Sequence, residues 1–191
     1  MRDADDDALM RLAGAGDRAA FSRLVQRHLT RASRLAVRMV GNVADAEEIV
    51  QEAFLRAWLK APEWRSRAEI AAAGAAFFTW LARVIVNFCL DRRRRKQPAP
   101  LEAAGDVADP APSAYEAMAT RETSARVAAA VAALPDRQRA ALVMCHYEGM
   151  SNGDAAAALG LSVGAVESLL VRARRTLRGS LAEVAAESMG R

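Results

Sequence analysis

Residues Met150 to Arg178 read M-S-N-G-D-A-A-A-A-L-G-L-S-V-G-A-V-E-S-L-L-V-R-A-R-R-T-L-R, and this stretch decides the fold. Ser151 can cap a helix, with Asp154 at capping-box spacing, and the alanine run that follows is strong helix former. Gly160 then ends that helix, because glycine alone enters the left-handed conformation without steric cost. Ser162 caps a second helix. On it Val163, Val166, Leu170, Ala173 and Leu177 recur at spacings of three and four, forming one apolar stripe. The opposite face carries Gly164, Ser168, Val171, Arg172 and Arg175. Small residues early on that face let a backbone approach DNA, and arginines a turn later reach base edges or phosphates in a major groove. A plain helical hairpin with solvated arginines is the bland alternative. The coincidence of turn, caps and basic face favours a helix-turn-helix.

Working outward, the composition points the same way. The chain has 191 residues, 52% of them hydrophobic and only 5% aromatic, which favours helix over sheet. Lys and Arg total 27 against 23 Asp and Glu, a formal +4 carried almost wholly by arginine, which suits phosphate and guanine contacts. No apolar run approaches the roughly 20 residues of a membrane span. The acidic N-terminus M-R-D-A-D-D-D is unlike a signal peptide, so a cytoplasmic protein without direct membrane insertion is expected. Cys89 and Cys145 lie far apart among apolar neighbours and read as buried free thiols. Cys145 and His146 are adjacent but lack further ligands, so no metal is assigned.

Before the helix-turn-helix, the pattern is helical throughout. Short helices are expected over Asp5 to Ala13 and from Asp17 to Leu29, and Leu35, Val37, Met39 and Val40 continue helically until Gly41. The segment Asp45 to Trp58 buries Ala46, Ile49, Val50, Ala53, Phe54 and Ala57 and turns Glu47, Glu48, Gln51, Glu52 and Arg56 outward. An outward acidic strip is usually just solvated. Acid-base catalysis would need a nucleophile, a metal set or a phosphate-binding loop nearby, and none accompanies it, so no catalytic residue is assigned. A docking surface is the other reading. Residues Lys60 to Ala76 loosen into a loop with one short helical turn around Ala68 to Ala73. Phe77, Phe78, Trp80, Leu81, Val84, Ile85 and Phe88 then crowd one long helix that ends in the basic run Arg92 to Lys96. Aromatic residues beside such a run can stack on unpaired bases, although core packing explains most of them.

The stretch from 98 to 113 holds Pro98, Pro100, Pro110 and Pro112 among acidic residues, and it reads as an extended linker. The expected architecture is therefore all-α, with two small helical domains, 1–97 and 114–191, joined by that flexible linker. After it, a helix from Tyr115 to Leu134 and another from Pro135 to Tyr147 precede the helix-turn-helix. The last helix is expected to continue toward Glu187.

With both halves read, the chain resembles a bacterial RNA polymerase sigma factor of the extracytoplasmic-function subfamily. The carriers are D-A-E-E-I-V-Q-E-A-F-L-R-A-W at 45–58, F-F-T-W-L-A-R-V-I-V-N at 77–87 with its basic run, L-P-D-R-Q-R-A-A-L at 134–142, and the helix-turn-helix. The resemblance implies a non-enzymatic promoter-specificity subunit, with region two in the first domain and region four in the second. Glu48, Gln51 and Glu52 would dock on core RNA polymerase. Phe78, Trp80, Arg83, Asn87, Arg92, Arg93, Arg94 and Arg95 would serve the minus-ten element, and Gly164, Ser168, Val171, Arg172 and Arg175 the minus-thirty-five element. Expected partners are core polymerase, promoter DNA and an anti-sigma factor, with no cofactor and no small-molecule substrate. No further regulatory domain is expected after Arg191. Ala82 stands where the family often has tyrosine, the Arg65 to Ala76 loop runs long, and Glu167 sits on the recognition helix. A LuxR-type regulator is the rival reading, since Leu134 to Leu177 also resembles that family's DNA-binding domain. Such regulators normally carry a strand-containing sensor domain, and residues 1–97 show no alternating strand pattern.

Overall fold

The computed structural model describes residues 5–64, 76–96 and 125–189. Every regular element among them is helical: α1 (Asp6–Gly14), α2 (Arg18–Val40), α3 (Val43–Lys60), a 3₁₀ turn (Ala61–Glu63) and α4 (Ala76–Lys96) in the first half. A helix over 125–133 (α5), α6 (Asp136–Leu142), a π-helical turn (Val143–Tyr147), α7 (Asn152–Leu159) and α8 (Val163–Met189) make the second.

Local chemistry sets the boundaries. The Asp5 carboxylate accepts from Ala8 N–H at 2.7 Å, Asp17 accepts from Ala19 and Ala20 N–H, and Asn42 accepts from Asp45 N–H at 3.0 Å. Each side chain thereby satisfies a donor that the first helical turn leaves without a partner. The helix-turn-helix forms as expected: Ser151 Oγ accepts from Asp154 N–H at 3.0 Å, Ser162 Oγ accepts from Ala165 N–H at 3.2 Å, and Gly160 closes α7 at φ 63°.

The first half packs α1, α2, α3 and α4 around Leu9, Met10, Leu24, Leu35, Met39, Ile49, Phe77, Leu81 and Ile85, all fully buried. Burial of each such side chain is worth about 1.5–3 kcal/mol and drives the packing of the four helices on one another. Gly14 lets α1 meet the 3₁₀ turn, since a Cβ there would lie 2.4 Å from the Ala61 carbonyl oxygen. In the second half Leu134, Met144, Val166, Leu170 and Ala173 form the core.

Several expectations change. The helix expected from Asp17 and the helical spacing that continues to Gly41 form one α2, since Thr30-Arg31-Ala32-Ser33 contains no glycine or proline to break it. Val163 is 45% exposed rather than part of the apolar stripe, being the first residue of α8 and ahead of the contact with α7. Cys89 is buried, and burial pushes its thiol up to about 12, whereas Cys145 is only half-buried. The helix begun at Pro135 finishes as the π turn rather than as regular α-helix. The expected helical turn at 68–73, the linker 98–113 and the start of the Tyr115 helix lie outside the described residues.

Candidate nucleic-acid interface

Gly164, Ser168, Val171, Arg172 and Arg175 are all exposed along one side of α8, while Val166, Leu170 and Ala173 are buried against α7 and α6. The Ser168 hydroxyl donates to the Gly164 carbonyl at 2.9 Å, folding back along the helix and keeping this side of it low. Arg172 and Arg175 rise beyond that smooth turn. The arrangement offers a groove-facing surface with small residues first and guanidinium groups after.

On α3, Glu48, Gln51 and Glu52 are exposed, opposite the buried Ala46, Ile49, Val50 and Ala53. Beyond these polar groups, toward the C-terminal end of α3, stand two side chains that the sequence reading passed over. Leu55 and Leu59 are 57% and 69% exposed, one turn apart on the same face. Their positions at seven and eleven residues after Glu48 were the available signal.

The residues expected for the minus-ten element divide by direction around α4. Trp80, Arg83, Asn87 and Arg94 share one side at helical spacing, with Arg83, Asn87, Arg94 and Arg95 exposed and Trp80 half-buried. Trp80 packs edge-on against Trp64 at 5.6 Å, and Trp64 Nε1 donates to Asp7 at 3.0 Å, so this aromatic wall is fixed from α1. Arg92 turns the other way. Its Nη1 donates to Asp45 at 3.0 Å and to Glu48 at 2.9 Å, joining an expected DNA contact to an expected docking carboxylate. These carboxylates hold the Arg92 guanidinium above its usual pKa, with the Glu48 hydrogen bond the main cause. Arg93 turns a third way, to Asp136 at the start of α6, at 2.6 Å.

Phe78 is the residue placed farthest from expectation. It is 6% exposed, stacked beside His28 at 5.6 Å and covered by the Arg31 guanidinium 3.7 Å from the ring centre. Arg31 also donates through Nε to Glu148 Oε2 at 2.8 Å and through Nη2 to the Glu148 carbonyl. These contacts join the two halves. Arg139, 1% exposed, completes the junction: it donates to Val131 O at 3.0 Å, Leu134 O at 2.8 Å, Ala132 O, and across to Met39 O at 2.7 Å. None of Arg31, Arg139 or Glu148 carries a local sequence signal of this role.

Among the described residues no three His, Cys, Asp or Glu side chains gather as metal ligands, and no single helix is long and apolar enough to cross a membrane.

Comparison with known proteins completes the picture. Residues 24–98 match the family model of Sigma-70 region 2, and residues 124–177 that of Sigma-70, region 4. The chain is 38% identical over 175 residues to the ECF RNA polymerase sigma factor SigM of Mycobacterium tuberculosis, covering 90% of this chain and 82% of SigM. It is 30% identical over 181 residues to the ECF RNA polymerase sigma factor SigW of Bacillus subtilis, covering 88% of this chain and 92% of SigW. The solved structure of CnrH in complex with the cytosolic domain of CnrY superposes with a TM-score of 0.69 at 29% identity, over 93% of this chain and 97% of CnrH. A LuxR-type regulator would leave the match at 24–98 without a counterpart. With both region models in order along one polypeptide and relatives of 30% and 38% identity matched over most of their length, the chain belongs to the extracytoplasmic-function sigma factors of bacterial RNA polymerase.

Proposed function

We propose that this sigma factor docks on core polymerase through α3 and reads its promoter through α4 and α8, without catalytic chemistry of its own. The docking face is amphipathic: Glu48, Gln51 and Glu52 come first along α3, and Leu55 and Leu59 follow them toward its C-terminal end. Such a face fits a partner that offers basic groups beside an apolar contact, the leucines supplying affinity and the carboxylates orientation. On α4, Trp80, Arg83, Asn87, Arg94 and Arg95 follow the minus-ten strand, the arginines on phosphates and Trp80 beside the bases. Arg92 acts mainly as a strut between α4 and α3, given its two carboxylate partners. On α8, Gly164 and Ser168 admit the major-groove edge of the minus-thirty-five element, and Val171, Arg172 and Arg175 reach into it. The supporting observation is that α8 exposes all five of these residues on one side.

The working compartment is the cytoplasm, where polymerase and promoter are. Control falls to a protein partner, an anti-sigma factor, as the complex of the similar CnrH with the cytosolic domain of CnrY suggests by analogy. Reconstitution tests the whole. Core polymerase supplemented with this chain is expected to initiate at a defined subset of sites in a genomic fragment library. Glu52→Arg is expected to lower core affinity at least tenfold with an unchanged circular dichroism spectrum. Core binding unaffected by Glu52→Arg combined with Leu55→Asp would remove α3 from the docking role.

A further inference from the structure

We propose that Glu167 is a base-selecting residue of α8, its carboxylate accepting a hydrogen bond from the exocyclic amine of one cytosine in the upstream element. The inference rests on the reading that α8 enters the major groove, and it deepens that reading by naming a base. A carboxylate is a costly group to bring there. Duplex DNA carries a negative charge about every 1.7 Å along its axis, so an acid held against it loses affinity at every sequence. The loss is recovered only where a donor meets the acid.

Glu167 is exposed, three residues after Gly164 and four before Val171. At about 100° per residue it stands ~60° around α8 from Gly164 and ~40° from Val171. It therefore flanks the groove-facing arc on one side, as Arg172 flanks it on the other, with the buried Val166 and Leu170 behind it. The ordinary reasons for an acid on a helix do not apply. The positive end of the helix dipole acts within the first turn, whereas Glu167 is the fifth residue of α8. The positions three and four away, Val163, Gly164, Leu170 and Val171, supply no cation to pair with it. Its partner among the described residues is Asn152 at the start of α7, whose Nδ2 stands 3.5 Å from Oε1, at the far limit of a hydrogen bond. That contact steers the carboxylate without neutralising it, and Oε2 has no partner among the described residues.

The chemistry of the groove then chooses the base. A carboxylate only accepts. Guanine presents N7 and O6 and thymine presents O4, all acceptors, which repel it. Adenine offers the N6 amine, but its own N7 acceptor lies beside that donor. Cytosine offers the N4 amine with no acceptor on the same edge of its ring, so it alone of the four suits an acid. An amide behaves differently, because it sets a donor beside an acceptor and matches adenine N6 and N7 together. Exchanging one oxygen of Glu167 for nitrogen should therefore exchange the base that is preferred.

The test starts from a duplex at which core polymerase carrying this chain initiates. Its upstream element is randomised, and holoenzymes with wild type, Glu167→Gln, Glu167→Ala or Arg172→Ala each select bound duplexes, which are sequenced. Wild type is expected to enrich cytosine about tenfold at one position, within the range that one mismatched base pair costs. Glu167→Gln is expected to replace that cytosine with adenine. Glu167→Ala is expected to lose the preference at that position alone and to bind unselected duplex about 2–5-fold more tightly, since a charge of the same sign as DNA is gone. Circular dichroism checks that each variant is folded. A cytosine preference that survives both Glu167 variants, or a loss spread evenly over the element, overturns the assignment. A wild-type pool with no enriched upstream position overturns the major-groove reading as well. A pool altered by Arg172→Ala and by neither Glu167 variant overturns Glu167 alone.

Discussion

Replacement of Arg139 should be the most damaging single change in the second half. Its guanidinium is 1% exposed and donates to four carbonyl oxygens, those of Val131, Ala132, Leu134 and Met39. Val131 and Ala132 belong to the last turn of α5 and Leu134 directly follows it, where a helix leaves its last carbonyls short of partners. Burial, with Arg93 nearby, pulls the Arg139 pKa down to about 10, so the group is still charged at neutral pH. Hydrogen bonds from a charged donor are worth about 1.5–3 kcal/mol each, but burying the ion costs several kcal/mol in return. The net loss for Arg139→Ala, which also leaves a cavity, is expected to be about 3–5 kcal/mol. Arg139→Met separates the two contributions. It fills the space yet removes the guanidinium from all four carbonyls, of which Val131 O keeps the Leu134 N–H at 3.2 Å, and it should still cost about 2–3 kcal/mol. Arg139→Lys, with three donors on a point charge instead of a planar fork, should fall between wild type and alanine. Urea unfolding followed by far-ultraviolet circular dichroism gives the midpoint and slope for each. A loss below about 1 kcal/mol for Arg139→Met would mean that water reaches those carbonyls, and the reasoning would fail.

The remaining expectations concern DNA and pH. Arg172→Ala should cost about 1–3 kcal/mol of promoter discrimination at one or two positions of the upstream element, read by competition binding of polymerase holoenzyme to single-substituted promoters; equal loss at every position would place Arg172 on phosphates instead. Replacing both exposed arginines Arg94 and Arg95 with alanine should weaken holoenzyme binding to all promoters alike and reduce the slope of log K against log salt by about 2, and an unchanged slope would remove them from the phosphates. Asp6 accepts from His28 at 2.7 Å and from Arg27 at 2.6 Å. Burial alone would raise its pKa, but these hydrogen bonds prevail and hold it below the usual 3.8. A lowered acid stabilises the fold above its unfolded pKa, so the contribution should be full above about pH 4 and vanish as pH falls through the folded value. Asp6→Asn should therefore lose about 1 kcal/mol at pH 7 and progressively less as pH falls through the folded value, measured by thermal unfolding; a pH-independent loss would contradict the ion pair.

The features legible in the sequence are those whose cause lies within one helical turn. Ser151, Gly160 and Ser162 act on backbone groups three or four residues away, so the helix-turn-helix could be read at once. The exposed sides of α3 and α8 follow from the period of 3.6 alone. The destinations of the charges could not be read this way. Arg31 meets Glu148 across 117 residues, Arg139 meets Met39 across 100, and Arg92 meets Glu48 across 44. Periodicity says that an arginine faces outward, and it is silent on what stands opposite. Phe78 illustrates the limit: apolar residues surround almost all of α4, so spacing did not separate the aromatic side chains that fill the core from those at its edge.

The π turn at Val143–Tyr147 has a bearing on where Glu148 lies. There the amide of Glu148 bonds back five residues to Val143 O at 3.0 Å, so the coil holds one residue more than an α-helix would over the same rise. Each residue advances an α-helix by about 100°. Deleting any one residue from this coil would tighten it to ordinary winding and rotate everything downstream by that angle, swinging the carboxylate away from α2. Chain length at this point, rather than the choice of side chain, sets the compass bearing of Glu148.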